Sequence, residues 1–89
     1  MRTLAVIVAL LIISAAIAEP ISDADTKRDA RNFAAMSGWN CPDPISFESK
    51  GEDARGEISM VECQSSDGKK VWKLRFIHPP KGYGRVEPW

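Results

Sequence analysis

Ser59-Met60-Val61-Glu62-Cys63-Gln64-Ser65-Ser66-Asp67-Gly68-Lys69-Lys70-Val71-Trp72-Lys73-Leu74-Arg75-Phe76-Ile77 is the stretch on which the fold turns. Asp67-Gly68 suits a two-residue type I′ turn, because both positions tolerate positive φ. That turn sets the register. Ser66 faces Lys69, Gln64 faces Val71, Cys63 faces Trp72, Val61 faces Leu74, Met60 faces Arg75 and Ser59 faces Phe76. Side chains alternate across a strand, so this register sorts them into two faces. One carries Cys63, Trp72, Val61, Leu74 and Phe76, apolar apart from Ser59, and is expected to be the core face. The other carries Glu62 opposite Lys73, with Ile58, Met60, Arg75 and Ile77.

Upstream of the hairpin, a helix is expected from Asp23 to about Ser37, with Ser22 as N-cap and Asp23 and Asp25 in the first turn. Ala24, Ala30, Phe33 and Ala34 make a narrow apolar stripe, with Met36 or Ser37 at its end, and Gly38 suits the position after the last turn. Pro42 and Pro44 exclude regular structure and lead into an extended run, Ile45 to Ser49. Lys50 to Gly56 reads as a loop and Glu19 to Ile21 as a loose tail. Downstream, His78-Pro79-Pro80-Lys81-Gly82 is turn chemistry, and Tyr83 to Glu87 forms a final strand, which Pro88 restricts to an edge. The expected fold is therefore α+β: one N-terminal helix packed on a three- to four-stranded antiparallel sheet, with one disulfide. In outline this resembles small exported bacterial domains that lay a helix on an antiparallel sheet, such as the PepSY-like type. The resemblance is one of architecture, covers no motif, and implies no functional residue.

The first 18 residues follow the plan of an export signal. Arg2 supplies the positive start, Leu4 to Ile13 an unbroken apolar core, and Ala16-Ile17-Ala18 an A-x-A cleavage pattern. A spanning helix needs about 20 apolar residues, more than this run offers. The expectation is a signal peptide over 1–18 and a small exported domain over 19–89, with cleavage after Ala18 and no membrane span afterwards. The A-x-A ending suits a bacterial signal, so the periplasm is the expected compartment, with an extracellular destination as the alternative.

Removing 18 of the 89 residues leaves 71, and a chain of that size buries only about 60% of its unfolded surface. Small cores need a staple. Cys41 and Cys63 are the two cysteines, too far apart for a C-x-x-C motif, and export puts them where thiols oxidise. A disulfide closing 23 residues is worth roughly 3 kcal/mol in the chain-entropy account.

Charge is balanced overall, 12 basic against 12 acidic residues, but unevenly spread. Glu19 to Asp67 carries 11 acids and 5 bases, whereas Gly68 to Trp89 carries 6 bases and Glu87. The basic residues Lys69, Lys70, Lys73, Arg75, Lys81 and Arg85 alternate with Trp72, Phe76, Tyr83 and Trp89, a pattern able to bind anionic polymers. The register opposes that use, since Trp72 and Phe76 point into the core. Nucleic acid is accordingly not an expected partner.

Little in the chain suits catalysis. His78 is the single histidine, it precedes two prolines, and no G-x-S-x-G surrounds a serine. Asp23, Asp25 and Asp29 lack the EF-hand glycine, Arg28 standing in its place, and serve the helix dipole. Glu52 and Asp53 form a second acidic pair in the expected loop. No cofactor and no metal site is expected, and the chain is read as a non-enzyme. The expected function is binding of a protein or envelope component, or of a second copy, through the sheet face bearing Ile58, Met60, Val71, Lys73, Arg75, Ile77, Tyr83 and Arg85 or through the exposed loops. Four aliphatic side chains and an aromatic ring on a free face call for a partner, unless the tail bearing Trp89, or Glu19 to Ile21, folds back over them. The alternatives are an inhibitor or effector acting on a foreign protein through Gly51 to Gly56 or His78 to Tyr83, an anionic-polymer binder using the basic hairpin, and, last, a small hydrolase.

Overall fold

A computed structural model describes residues 18–89. Apart from residue 18, the segment read as an export signal lies outside the described residues. Gly56–Gln64 (β3) and Val71–His78 (β4) form the expected hairpin with the expected register, from Gln64 opposite Val71 to Ile58 opposite Ile77. Its turn differs. The Gly68 N–H donates to the Ser65 carbonyl at 2.9 Å, so Ser66 and Asp67 are the central residues, and Gly68 follows at φ +77°. The Ser65 N–H bonds the Lys70 carbonyl at 2.9 Å. Ser65 still faces Lys70, which is why the longer turn leaves the register unchanged. Asp67 organises the turn, accepting from the Ser65 hydroxyl at 2.6 Å and the Lys69 N–H at 3.0 Å, and these bonds hold its carboxyl below the usual range.

The sheet has five strands, one more than the largest number expected, in the simple order β1-β2-β3-β4-β5. Glu19–Pro20 (β1) is the additional strand, where a loose tail was expected. Glu19 pairs with Phe47 and Pro20 with Ser46, and the Ile21 N–H donates to the Ile45 carbonyl at 2.8 Å. Burial of the Ile21 side chain fixes this tail, and Pro20 is tolerated because β1 is an edge. Asp43–Asp53 (β2) runs through most of the expected loop. Gly51, at φ +83°, sits in a register irregularity between Ser49 and Glu52, and Gly56 opens β3, so only Ala54 and Arg55 remain as turn. Arg85–Pro88 (β5) closes the other edge.

The helix is Ala24–Met36 (α1), and its N-cap is Asp23, one residue beyond the expected Ser22. The Asp23 carboxylate accepts from the Thr26 N–H and hydroxyl, both at 2.9 Å, and these bonds keep its pKa below the ordinary value. At the other end the Trp39 N–H reaches the Ala34 carbonyl and the Gly38 N–H the Ala35 carbonyl, with Gly38 at φ +83°. This is a Schellman stop.

On the helix side, Ala34, Cys41, Val61, Cys63, Leu74, Phe76 and Val86 form the buried core, with Ala30, Phe33, Phe47 and Trp72 packed against it. The Cys41–Cys63 disulfide is present, with a Cα separation of 5.2 Å. It ties the segment after α1 to the middle of the sheet, beside buried Pro44 and across from Trp72. β5 is drawn to the helix end by the Val86 N–H, which donates to the Ser37 hydroxyl at 2.9 Å.

Candidate functional site

Alanines let a helix lie close to a sheet, but they leave room where a larger residue would fill. Ala30 faces the sheet from α1, and Ser59 interrupts the apolar run of β3 on the same side. Between them lies a groove of about 370 Å³ lined by Ile21, Ala30, Phe33, Phe47, Val61 and Phe76. Thr26, Asp29, Ser59 and His78 add polar atoms to its wall. Such a volume lies at the small end of ligand pockets, enough for one or two bulky side chains.

Phe33 is the hub of this wall. Its ring stacks on His78, with centroids 4.8 Å apart and planes 14° from parallel, and meets Phe76 at 5.1 Å. Gly84 passes directly over it: a Cβ there would lie 2.3 Å from Phe33 Cζ. At the start of the same loop, a Cβ on Gly56 would lie 2.3 Å from the His78 carbonyl oxygen. The segment from His78 to Gly84 is thus clamped at both ends to the groove wall, and Tyr83 stands out from it, 90% exposed.

The opposite sheet face differs from a free apolar surface. Ile58, Met60 and Ile77 are 6%, 8% and 2% exposed within the single chain. Ile58 lies opposite Ile77, and Ile77 opposite Arg85. Glu48, Met60, Arg75 and Glu87 are aligned across four strands. The Arg75 guanidinium lies 4.7 Å from the Trp89 ring centroid, and the Lys50 ammonium 5.8 Å from it while bonding Glu48 at 2.8 Å. The Trp89 N–H donates to the Lys73 carbonyl at 3.2 Å. From the β2–β3 turn, Arg55 bonds Asp53 at 2.9 Å and also Glu87, which Arg75 approaches at 3.7 Å. Hydrogen bonds from Arg55 push the Asp53 carboxyl down, and the two acids push Arg55 up. Of the eight residues proposed for this face, Val71, Lys73, Tyr83 and Arg85 are exposed, Arg75 is half-buried in the charge network, and three are buried.

The other acids are dispersed. Asp23 caps α1, Asp25 and Asp29 meet Arg28 at 3.1 and 3.7 Å, and Asp43 binds Lys27 at 2.6 Å. Among the described residues no three His, Cys, Asp or Glu side chains converge as a metal would require, and no helix is long and apolar enough to cross a membrane. No protein-family model, curated protein or solved structure matches the chain.

The groove was not anticipated from the sequence, although its signal was present. Ser59 is the one polar residue on the core face of the hairpin, and the stripe on α1 is narrow because two of its members are alanines. A gap between helix and sheet follows from that pair.

Proposed function

We propose that the chain is a small, non-catalytic, exported binding domain, and that the groove between α1 and the sheet receives an apolar group of a protein or envelope partner. The open apolar groove carries this reading. An uncovered cleft lined by Ile21, Phe33, Phe47 and Phe76 keeps apolar surface in water, and a partner that fills it gains the hydrophobic free energy the chain itself leaves unused. The disulfide supports export, since such bonds persist in oxidising compartments. Intact mass of the exported protein tests the cleavage after Ala18, and a species retaining the apolar segment would refute it.

Filling the groove from within tests the binding site. Ala30→Leu places a larger side chain at the groove wall without touching the disulfide or the ion pairs. The purified, oxidised wild-type protein is expected to bind the neutral apolar dye N-phenyl-1-naphthylamine and to retain a partner from its own envelope extract. The variant is expected to lose both while melting no lower. Retention of both by a folded Ala30→Leu variant would refute the groove as the site.

A second reading, inhibition of a foreign protein, is favoured by the clamped loop. Pro79 to Tyr83 is held at its ends and presents an almost fully exposed tyrosine, the arrangement of a preorganised recognition loop. Tyr83→Ala leaves the groove intact, so loss of the captured partner in that variant alone would favour the loop.

A further inference from the structure

The outer sheet face has a cavity of its own. About 290 Å³ in volume, it is walled by Arg55 from the β2–β3 turn, Ile77 and Pro79 from the end of β4, Tyr83 from the clamped loop and Arg85 from β5. We infer that this cavity receives the C-terminal residue of a partner polypeptide, its apolar side chain against Ile77 and Pro79 and its terminal carboxylate on Arg85. The inference does not depend on the groove beneath α1, which lies on the other side of the sheet.

Charge and shape both point to that occupant. Arg85 lies directly opposite Ile77 in the ladder, which puts its side chain on the outer face with Glu87, two residues on. Glu87 is already taken: Arg55 bonds it, and Arg75 approaches it at 3.7 Å. Asp53 is taken as well, by Arg55 Nε at 3.2 Å and Nη2 at 2.9 Å. Three guanidinium groups thus meet two carboxylates at this corner, and among the described residues no acid lies within ion-pair distance of Arg85. Arg31, Lys69, Lys70, Lys73 and Lys81 are unpaired too, but none of them lines this cavity, the groove or the smaller cleft beside β1. Arg85 differs in setting an unmatched positive charge into a concave, partly apolar wall. Its complement is one negative charge carried beside an apolar group.

Size selects the chain terminus among such groups. A cavity just below the usual range for small-molecule pockets holds about one side chain. An aspartate or glutamate side chain brings a carboxylate with little apolar body, whereas a C-terminal residue carries its carboxylate and its side chain on one Cα. The walls are also set before binding. Arg55 is held by two acids, and the loop bearing Tyr83 is fixed by the close approaches of Gly56 to His78 and Gly84 to Phe33, so little ordering opposes association. The Tyr83 ring, 90% exposed, offers apolar area that a bound residue would cover.

Four acetylated tripeptides, titrated into the isotope-labelled, oxidised protein and followed by amide NMR, test this. They are Gly-Gly-Leu with a free C-terminus, the same peptide amidated, Gly-Gly-Gly with a free C-terminus, and Gly-Glu-Leu amidated. The first is expected to bind and to shift signals around Ile77, Tyr83 and Arg85. The other three should bind about fivefold more weakly or worse, since each lacks the terminal carboxylate or the apolar side chain. R85Q should weaken the first peptide by a similar factor and leave dye binding in the groove unchanged. Equal binding of the amidated peptide, of the triglycine or of the glutamate peptide would overturn the inference, as would unchanged affinity in R85Q. Shifts centred on Phe33 and Phe47 would move the terminus to the groove and overturn it equally. Failure of all four peptides on a protein that still binds the dye would refute this cavity and leave the groove reading standing. Binding of the first peptide as expected, without the dye, would do the reverse. The wild-type series needs no variant, so it decides even where R85Q folds poorly.

Discussion

Gly84→Ala isolates the contact on which the β4–β5 loop depends. The new methyl carbon would lie 2.3 and 2.7 Å from Phe33 Cζ and Cε1 and 2.8 Å from the Ile77 carbonyl oxygen, where about 3.5–4 Å is comfortable. Something must move by roughly an ångström to restore that spacing. Phe33 has little freedom, held between His78 at 4.8 Å and Phe76 at 5.1 Å, and movement of β5 would strain its ladder with β4. Overpacking of this kind costs about 1–3 kcal/mol, against about 0.4–1 kcal/mol returned by the less flexible unfolded chain. A net loss of about 1–2 kcal/mol lowers Tm by roughly 10 °C in a domain of this size. Thermal unfolding followed by far-ultraviolet circular dichroism on the oxidised protein measures it. In a Phe33→Leu background the same substitution should cost much less, because the two residues are in contact. Gly82→Ala provides the contrast: Gly82 has φ +85° and nothing within 4 Å of its would-be Cβ, so its cost is backbone strain and does not depend on Phe33. An unchanged Tm for Gly84→Ala, or an equal penalty with Leu at position 33, would refute the clamp.

Cys63→Ser is expected to cost about 2–5 kcal/mol, read by urea unfolding, and a smaller loss would mean that the core stands without its staple. Met60→Glu and Ile77→Glu each bring a carboxylate into a position at most 8% exposed, where the cross-strand Arg75 and Arg85 offset only part of the desolvation cost, and should destabilise by roughly 2 kcal/mol; variants of native stability that lose only association would support that face as a partner surface. Asp23→Asn should cap nearly as well as the native residue, whereas Asp23→Ala should lower Tm at neutral pH. Because folding lowers the Asp23 pKa, the stability from its charge is complete above the unfolded value of about 3.9 and is lost as pH falls through the folded value. The wild-type advantage over Asp23→Asn should therefore vanish in acid, and a difference that persists there would refute the assignment.

The hairpin was legible because turn chemistry and strict alternation act over a few residues, and the cysteine pairing followed from there being two. The register even survived an error in the turn, since Ser65 and Lys70 remain opposite whichever residues lie at its centre. What escaped notice depends on partners distant in sequence. Glycines at 51 and 56 look like loop residues, yet one accommodates an irregularity and the other a close approach of His78. Glu19–Pro20 pairs next to Ile21, which is buried. The tail bearing Trp89 is the alternative to a free face that the sequence offers, but its contact with Arg75 beside Met60 becomes specific only once β5 has been located. As for the groove, it arises from what two surfaces jointly fail to fill, a property that neither helix nor strand displays alone.

If the chain is exported and cut as proposed, strand β1 bears on the order of those events. On the proposed processing, Glu19 is both the first residue of the mature chain and the first residue of the sheet. Engaging a peptidase and pairing with Phe47 and Ser46 would require the same backbone at the same time. On that processing the edge ladder would close only after the cut, and docking of Ile21 would then withdraw the new terminus from further trimming. A precursor whose cleavage were slowed would mature with its helix, hairpin and disulfide complete and only this seam unsealed.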